Sequence, residues 1–333
     1  CWLLAGVLGG IPGSRALSDE PTFRDKIVLF GAQRRPRESN RTTEILVMNP
    51  DGTDLRPLLK RDHTMVGRIA PDARRLAFSI LGDAPKSPAE TWIREADGRT
   101  RKLPTGGWVV AWSPDGASLA CCRLIGDNEW ESVRVDVESG RSEPLLVPPS
   151  AVVEDWSPDG KLLALMDSNR GQVLKEVYPL RQTDVIALDG TGRRRISDDP
   201  HGDYIWSRFS PDGSRLAHEE RRLEQDRVIL SYVVRKVEGG QAVEILRRDG
   251  IDEQLRVIAT DPLRTPYWVT KGAPCWSPDG KQFACLLSNV RGSYRSEDDL
   301  RFALVFTNPE GRFERSLDLK SLSIVWVQNV DWK

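Results

Sequence analysis

Histidine is almost absent from this chain, with three in 333 residues, and none of the five cysteines falls at a C-x-x-C spacing. A metal site or a Cys/His nucleophile needs several such groups at ligand-like spacing, so the sequence calls for no metal and no cofactor. Cys121 and Cys122 are neighbours while Cys275 and Cys285 lie far downstream, which gives no disulfide framework. Net charge is missing too: 48 Lys and Arg against 49 Asp and Glu leave a formal charge of -1. Without a basic field, nucleic acid is not an expected partner. The apolar run from Cys1 to Ile11 is too short to span a bilayer. With Ser14 and Ala16 at the spacing of a cleavage site, it reads as the end of an export signal, the tail of a membrane anchor being the alternative. The expected location is periplasmic or extracellular, with membrane attachment only through this segment.

What the chain does have is punctuation. Its 27 Gly and 22 Pro are spread along the sequence, and 11 Trp outnumber 8 Phe, as in many short strands joined by turns. One turn recurs as Trp112-Ser-Pro-Asp-Gly116, Trp156-Ser-Pro-Asp-Gly160, Phe209-Ser-Pro-Asp-Gly213 and Trp276-Ser-Pro-Asp-Gly280, with a degenerate copy Ile69-Ala-Pro-Asp-Ala73. Pro fixes φ, Asp bonds the local backbone and Gly takes the left-handed conformation that closes the turn. Ala73 stands where the others have Gly, which predicts strain or another turn type.

A second turn interleaves with the first and ends near Gly52, Gly98, Gly140, Gly192, Gly240 and Gly311, giving six second turns against five first ones. The termini supply the sixth: Trp332 matches the Trp column, and Asp25-Lys-Ile-Val-Leu-Phe30 matches the strand that follows it. The fold class expected is therefore all-β, a six-bladed β-propeller of four-stranded antiparallel blades (strands A to D), its ring closed by pairing of the N- and C-terminal strands. Residues 1–22 are expected to form the apolar segment and linker, and 23–333 a single propeller.

The repeat over roughly residues 23 to 333 resembles the TolB-like, WD-type propeller family. That resemblance implies the fold and a non-catalytic scaffold that binds a protein or cell-envelope partner, as a monomer. It leaves open a propeller enzyme, such as a carbohydrate lyase or hydrolase, or the propeller of a prolyl-oligopeptidase-type protein, since fold does not imply function. The chain holds no G-x-S-x-G nucleophile elbow.

Alignment of the repeats gives the conspicuous residues bland roles. His218, Cys121 and Cys285 share a column with Phe30, Phe78 and Leu165 and read as blade packing, as does the Trp column. The turn aspartates sit on separate blades and cannot converge on a cation. Function is expected on the face that carries the B–C and D–A connections, where the long segments lie. Arginine and aromatic side chains, the usual interface anchors, concentrate there: Arg34, Arg35, Arg37, Trp130, Tyr178, Arg221, Arg222, Tyr267, Trp268, Tyr294 and Arg295. A second candidate is the central channel. The position before the Trp column holds Arg68, Ala111, Asp155, Arg208, Cys275 and Asp331, which predicts a ring of two Arg and two Asp, paired with one another or open to a small polar ligand.

Overall fold

A computed structural model describes residues 22–34, 42–62, 64–80, 89–126, 129–174, 178–197, 202–224, 227–247, 269–270, 273–288 and 302–333. The strands form six antiparallel sheets. Blade 1 takes its strand A from the C-terminal end, Asn329–Trp332 with Ile324–Trp326 before it, and continues with Ile27–Arg34, Thr42–Met48 and Arg56–Asp62. Blade 2 is Thr64–Ile69, Leu76–Ile80, Glu90–Arg94 and Thr100–Lys102; blade 3 is Trp108–Trp112, Ser118–Leu124, Trp130–Asp136 and Ser142–Pro144. Blade 4 is Ala151–Trp156, Leu162–Leu174, Tyr178–Ala187 and Arg194–Arg195, and blade 5 is Asp203–Phe209, Arg215–Glu224, Arg227–Lys236 and Val243–Arg247. Blade 6 is Cys275–Trp276 with Val269–Thr270 before it, then Phe283–Ser288, Phe302–Thr307 and Phe313–Asp318. Strand A is innermost in every blade, and the inner strands meet one another around the axis. Among the described residues no helix is long and apolar enough to cross a membrane.

The repeated turn explains its own sequence. In blade 3, Gly116 N–H donates to Ser113 O at 2.9 Å with Gly116 at φ 67. The Ser113 hydroxyl donates to Asp115 at 2.5 Å and accepts from Ser118 N–H at 2.8 Å, and Asp115 also takes Ala117 N–H at 3.0 Å. These bonds hold the Asp115 carboxyl below the usual carboxylate range, and the aspartates of the other three Ser-Pro-Asp-Gly copies are lowered in the same way. Ala73 adopts the same closing geometry at φ 55, donating to Ala70 O at 2.9 Å, so of the two expectations strain is the outcome.

Side chains alternate between the two faces of each blade, so the apolar core divides into six wedges, one at each seam between blades. The Trp column fills these seams. Trp112 Nε1 donates to Arg68 O of blade 2 and Trp276 Nε1 to Arg208 O of blade 5, at 3.1 and 3.2 Å. His218, Cys121 and Cys285 are fully buried in the packing column.

Two details differ from the sequence reading. In blade 1, Asp331 pairs with Val28, so Leu29 rather than Phe30 takes the packing-column place. No turn joins those two strands to set their register, and a one-residue slip moves a side chain to the other face. Phe30 instead enters the seam with blade 2, where a Cβ on Gly67 would lie 2.2 Å from its ring; only glycine fits there. Secondly, the charged stretches after strand B in blades 4 and 5 are not loops. Strand B of blade 5 runs to Glu224 with Glu224 opposite Arg227, and blade 4 pairs Leu174 with Tyr178. Cross-strand partners such as Ile229 opposite Arg222 and Leu230 opposite Arg221 supply the ladder that the polar half of the hairpin conceals.

Candidate functional site

The four charged residues of the inner ring line one cavity of about 390 Å³ that opens along the axis on the tight-turn face, walled by the Trp column and the prolines of the repeated turns. They do not pair with one another; each is fixed to the backbone of a strand. Asp331 accepts from Ile69 N–H of blade 2 at 2.7 Å, and Asp155 of blade 4 accepts from Phe209 N–H of blade 5 at 2.7 Å. Arg68 donates from Nε to Val110 O at 3.0 Å and from Nη1 to Gly67 O and Asn329 Oδ1 at 2.8 and 2.9 Å. Arg208 donates from Nη1 to Ser207 O at 2.8 Å and to Glu154 O. Asp155 touches solvent at the wall, yet the surrounding protein is dense enough that burial pushes its carboxyl up to about 7, against the pull of Phe209 N–H and Arg68. Burial raises Asp331 as well, with Arg68 opposing it.

Above this ring, on strand A of blade 5, Trp206 is 43% exposed and holds φ 62, a conformation L-residues avoid. The buried Glu154 of blade 4 pins it by accepting Trp206 N–H at 2.7 Å and Ser207 N–H at 2.8 Å. Burial raises the Glu154 carboxyl despite those bonds. Neither residue stands out in the sequence; the one signal is a Trp three places before the turn column, out of step with the repeat.

No family model matches the chain. An uncharacterized protein of Agrobacterium fabrum, Atu1656, is 26% identical over 226 residues, 65% of this chain and 67% of that protein. Among solved structures, TolB from Acinetobacter baumannii superposes with a TM-score of 0.67 at 16% identity, covering 94% of this chain and 67% of that one. The fold is TolB-like. A structure of a nidogen/laminin complex also matches, with a TM-score of 0.56 at 10% identity over 92% of this chain and 97% of that one.

The TolB-like ring places the remaining candidates as follows. Trp130 opens strand C of blade 3 on the loop-rich face, 40% exposed, edge-on to Trp108 at 6.4 Å, with exposed Ile125 at the same connection. Trp108 is a residue the sequence reading missed, since nothing in the repeat marks the start of strand A. Arg34 lies in strand B of blade 1 and forks onto Glu44 at 2.6 and 3.1 Å. Arg221 and Arg222 lie in the blade 5 ladder rather than in a loop, Arg221 paired with Glu219 and Asp203, Arg222 with Glu220 and Glu244. Tyr178 begins strand C of blade 4. Arg35, Arg37, Tyr267, Trp268, Tyr294 and Arg295 lie outside the described residues, as do His63 and His201.

Among the described residues, the four cysteines and His218 are quiet. Burial pushes the Cys121 thiol up to about 12 and Cys122 to about 11, and raises Cys275 and Cys285 as well, so none forms a thiolate near neutrality. The same desolvation holds His218 down at about 3, a neutral ring with no access to substrate.

Proposed function

We propose that this protein is a non-catalytic propeller scaffold that binds a protein partner through the face carrying the B–C and D–A connections. The observation that carries this reading is the aromatic pair there, exposed Trp130 against half-buried Trp108, with Ile125 at the same connection. A tryptophan held by a second ring keeps its area available at little cost in conformational entropy, the property of an interface anchor. The TolB-like fold supports a partner-binding role, and the nidogen/laminin structure is of a propeller in a complex. An envelope location belongs to the same proposal and rests on the apolar segment at Cys1–Ile11.

The test is affinity capture from envelope extract with the full chain and its Trp130→Ala variant. The expected result is one partner retained by the parent chain and lost by the variant, with the melting temperature unchanged. Equal capture by both removes the aromatic pair from the interface, and turnover of any uronate or lactone substrate by the purified chain overturns the non-catalytic reading.

A further inference from the structure

The inner ring is not merely mixed in charge. Read from blade 1 to blade 6 it runs Asp331, Arg68, Ala111, Asp155, Arg208, Cys275, a triplet of acid, guanidinium and small residue repeated twice. In a six-membered ring this places Arg68 opposite Arg208 and Asp331 opposite Asp155, a pseudo-twofold site inside a sixfold frame. The bonding repeats as well: each aspartate caps the N–H of the turn-column residue in the next blade, and each arginine carbonyl receives a tryptophan N–H from the blade after it.

Arg208 is tethered along one side only, and Arg68 keeps one terminal nitrogen free. Among the described residues, Arg208 commits Nη1 and leaves Nε and Nη2 without a partner, and Arg68 commits Nε and Nη1 and leaves Nη2. Both line the cavity, and Arg24 and Lys333 at its mouth add two further positive charges. Four cations against two carboxylates make the cavity net positive. A guanidinium already held in place loses little further freedom on binding; the free Nε–Nη2 edge of Arg208 matches a carboxylate, and Arg68 offers a single Nη2 donor.

We propose that this axial cavity is a binding site for a small dicarboxylate, one carboxylate taken by Arg208 and the other by Arg68 across the axis. At about 390 Å³ it has room for a short aliphatic diacid, and the tryptophan and proline walls suit the methylene span. Asp155 favours the same class of ligand once bound: raised by burial, it takes up a proton and donates to the ligand instead of repelling it. The site is on the face opposite the aromatic pair, so it is independent of the partner-binding reading.

Calorimetric titration of the full chain at pH 6.5 with succinate, glutarate and adipate, and with acetate as the single-carboxylate control, tests this. The expected result is one-to-one binding with a preferred length in the series, at least about tenfold tighter than acetate because the second carboxylate binds intramolecularly. Arg208→Gln should lose that advantage, and Arg208→Lys, which keeps the charge without the fork, should lose part of it. Trp130→Ala should bind unchanged. Diacids no tighter than acetate, full affinity in Arg208→Gln, or stronger binding of putrescine than of any diacid would each overturn the proposal.

Discussion

The seam between blades 6 and 1 and the seam between blades 4 and 5 do the same geometric job with different chemistry. Among the described residues the first buries sixteen apolar residues, with Phe302 edge-on to Trp326 at 5.5 Å and Phe306 edge-on to Trp332 at 5.8 Å. The second buries six, and polar groups fill the remaining space. Asp203 of blade 5, fully buried, accepts Arg181 of blade 4 through both oxygens at 2.8 and 2.7 Å, and Thr183 meets Ser207 at 3.2 Å. Within blade 5, Tyr204 donates to Glu220 at 3.1 Å while Arg235 lies over the Tyr204 ring. Seams of one ring are therefore closed by different fillings, one apolar and one hydrogen-bonded. An apolar seam is tolerant of small shifts; a hydrogen-bonded one is directional and sensitive to pH.

Three experiments press on that contrast. Phe306→Ala should cost the most, about 3–5 kcal/mol in urea unfolding, since a large buried ring leaves a cavity in the apolar wedge and Arg315 loses the ring it lies over at 3.5 Å. Asp203→Ala should approach it, at roughly 3 kcal/mol, the low end for breaking a buried pair because Arg181 and Arg221 keep 19% and 18% exposure and can rehydrate. A negligible cost for Asp203→Ala would mean that the ionic seam is decoration.

His218 sharpens the comparison through pH. Both its ring nitrogens lack a partner inside blade 5, and its folded value of about 3 lies below the usual 6.5. The unfolded chain therefore takes the proton first, and stability falls as pH drops below about 6.5, by on the order of 1.4 kcal/mol per pH unit down to about pH 3. His218→Leu should flatten that slope and add about 1 kcal/mol at pH 7, read from denaturation midpoints at pH 7 and pH 5. Retention of the full slope in the variant would assign the acid sensitivity to other groups. The smallest effect lies outside both seams: Ala73→Gly should stabilise by about 0.5–1 kcal/mol by relieving the left-handed strain.

The sequence discloses the architecture because the turn motif is a local instruction repeated in register: five copies and a split sixth suffice to count blades. It discloses the inner ring for the same reason, since Arg68, Asp155, Arg208 and Asp331 sit at a fixed offset from the turn. What it conceals depends on chain segments meeting through space. Glu219 and Glu220 look like a solvated loop until Arg221 and Arg235 are brought against them. Glu154 reads as an ordinary strand residue until Trp206 and Ser207 present their N–H groups to it. Phe30 is misplaced by one position because no turn ties its strand to the one that closes the ring.

That closing pair has a consequence for the order of events at the ribosome. Arg68 and Ile69 take their bonds to Asn329 and Asp331 across 261 and 262 positions of chain. Of the six blades, blade 1 therefore emerges first as three strands with a bare inner edge, and it must be kept from pairing with a neighbouring nascent chain until Asn329–Trp332 has been made. Closure of the ring waits for Asn329–Trp332, so blades 2 to 5 can stack as they appear while the first-made of the six blades is the last to be completed.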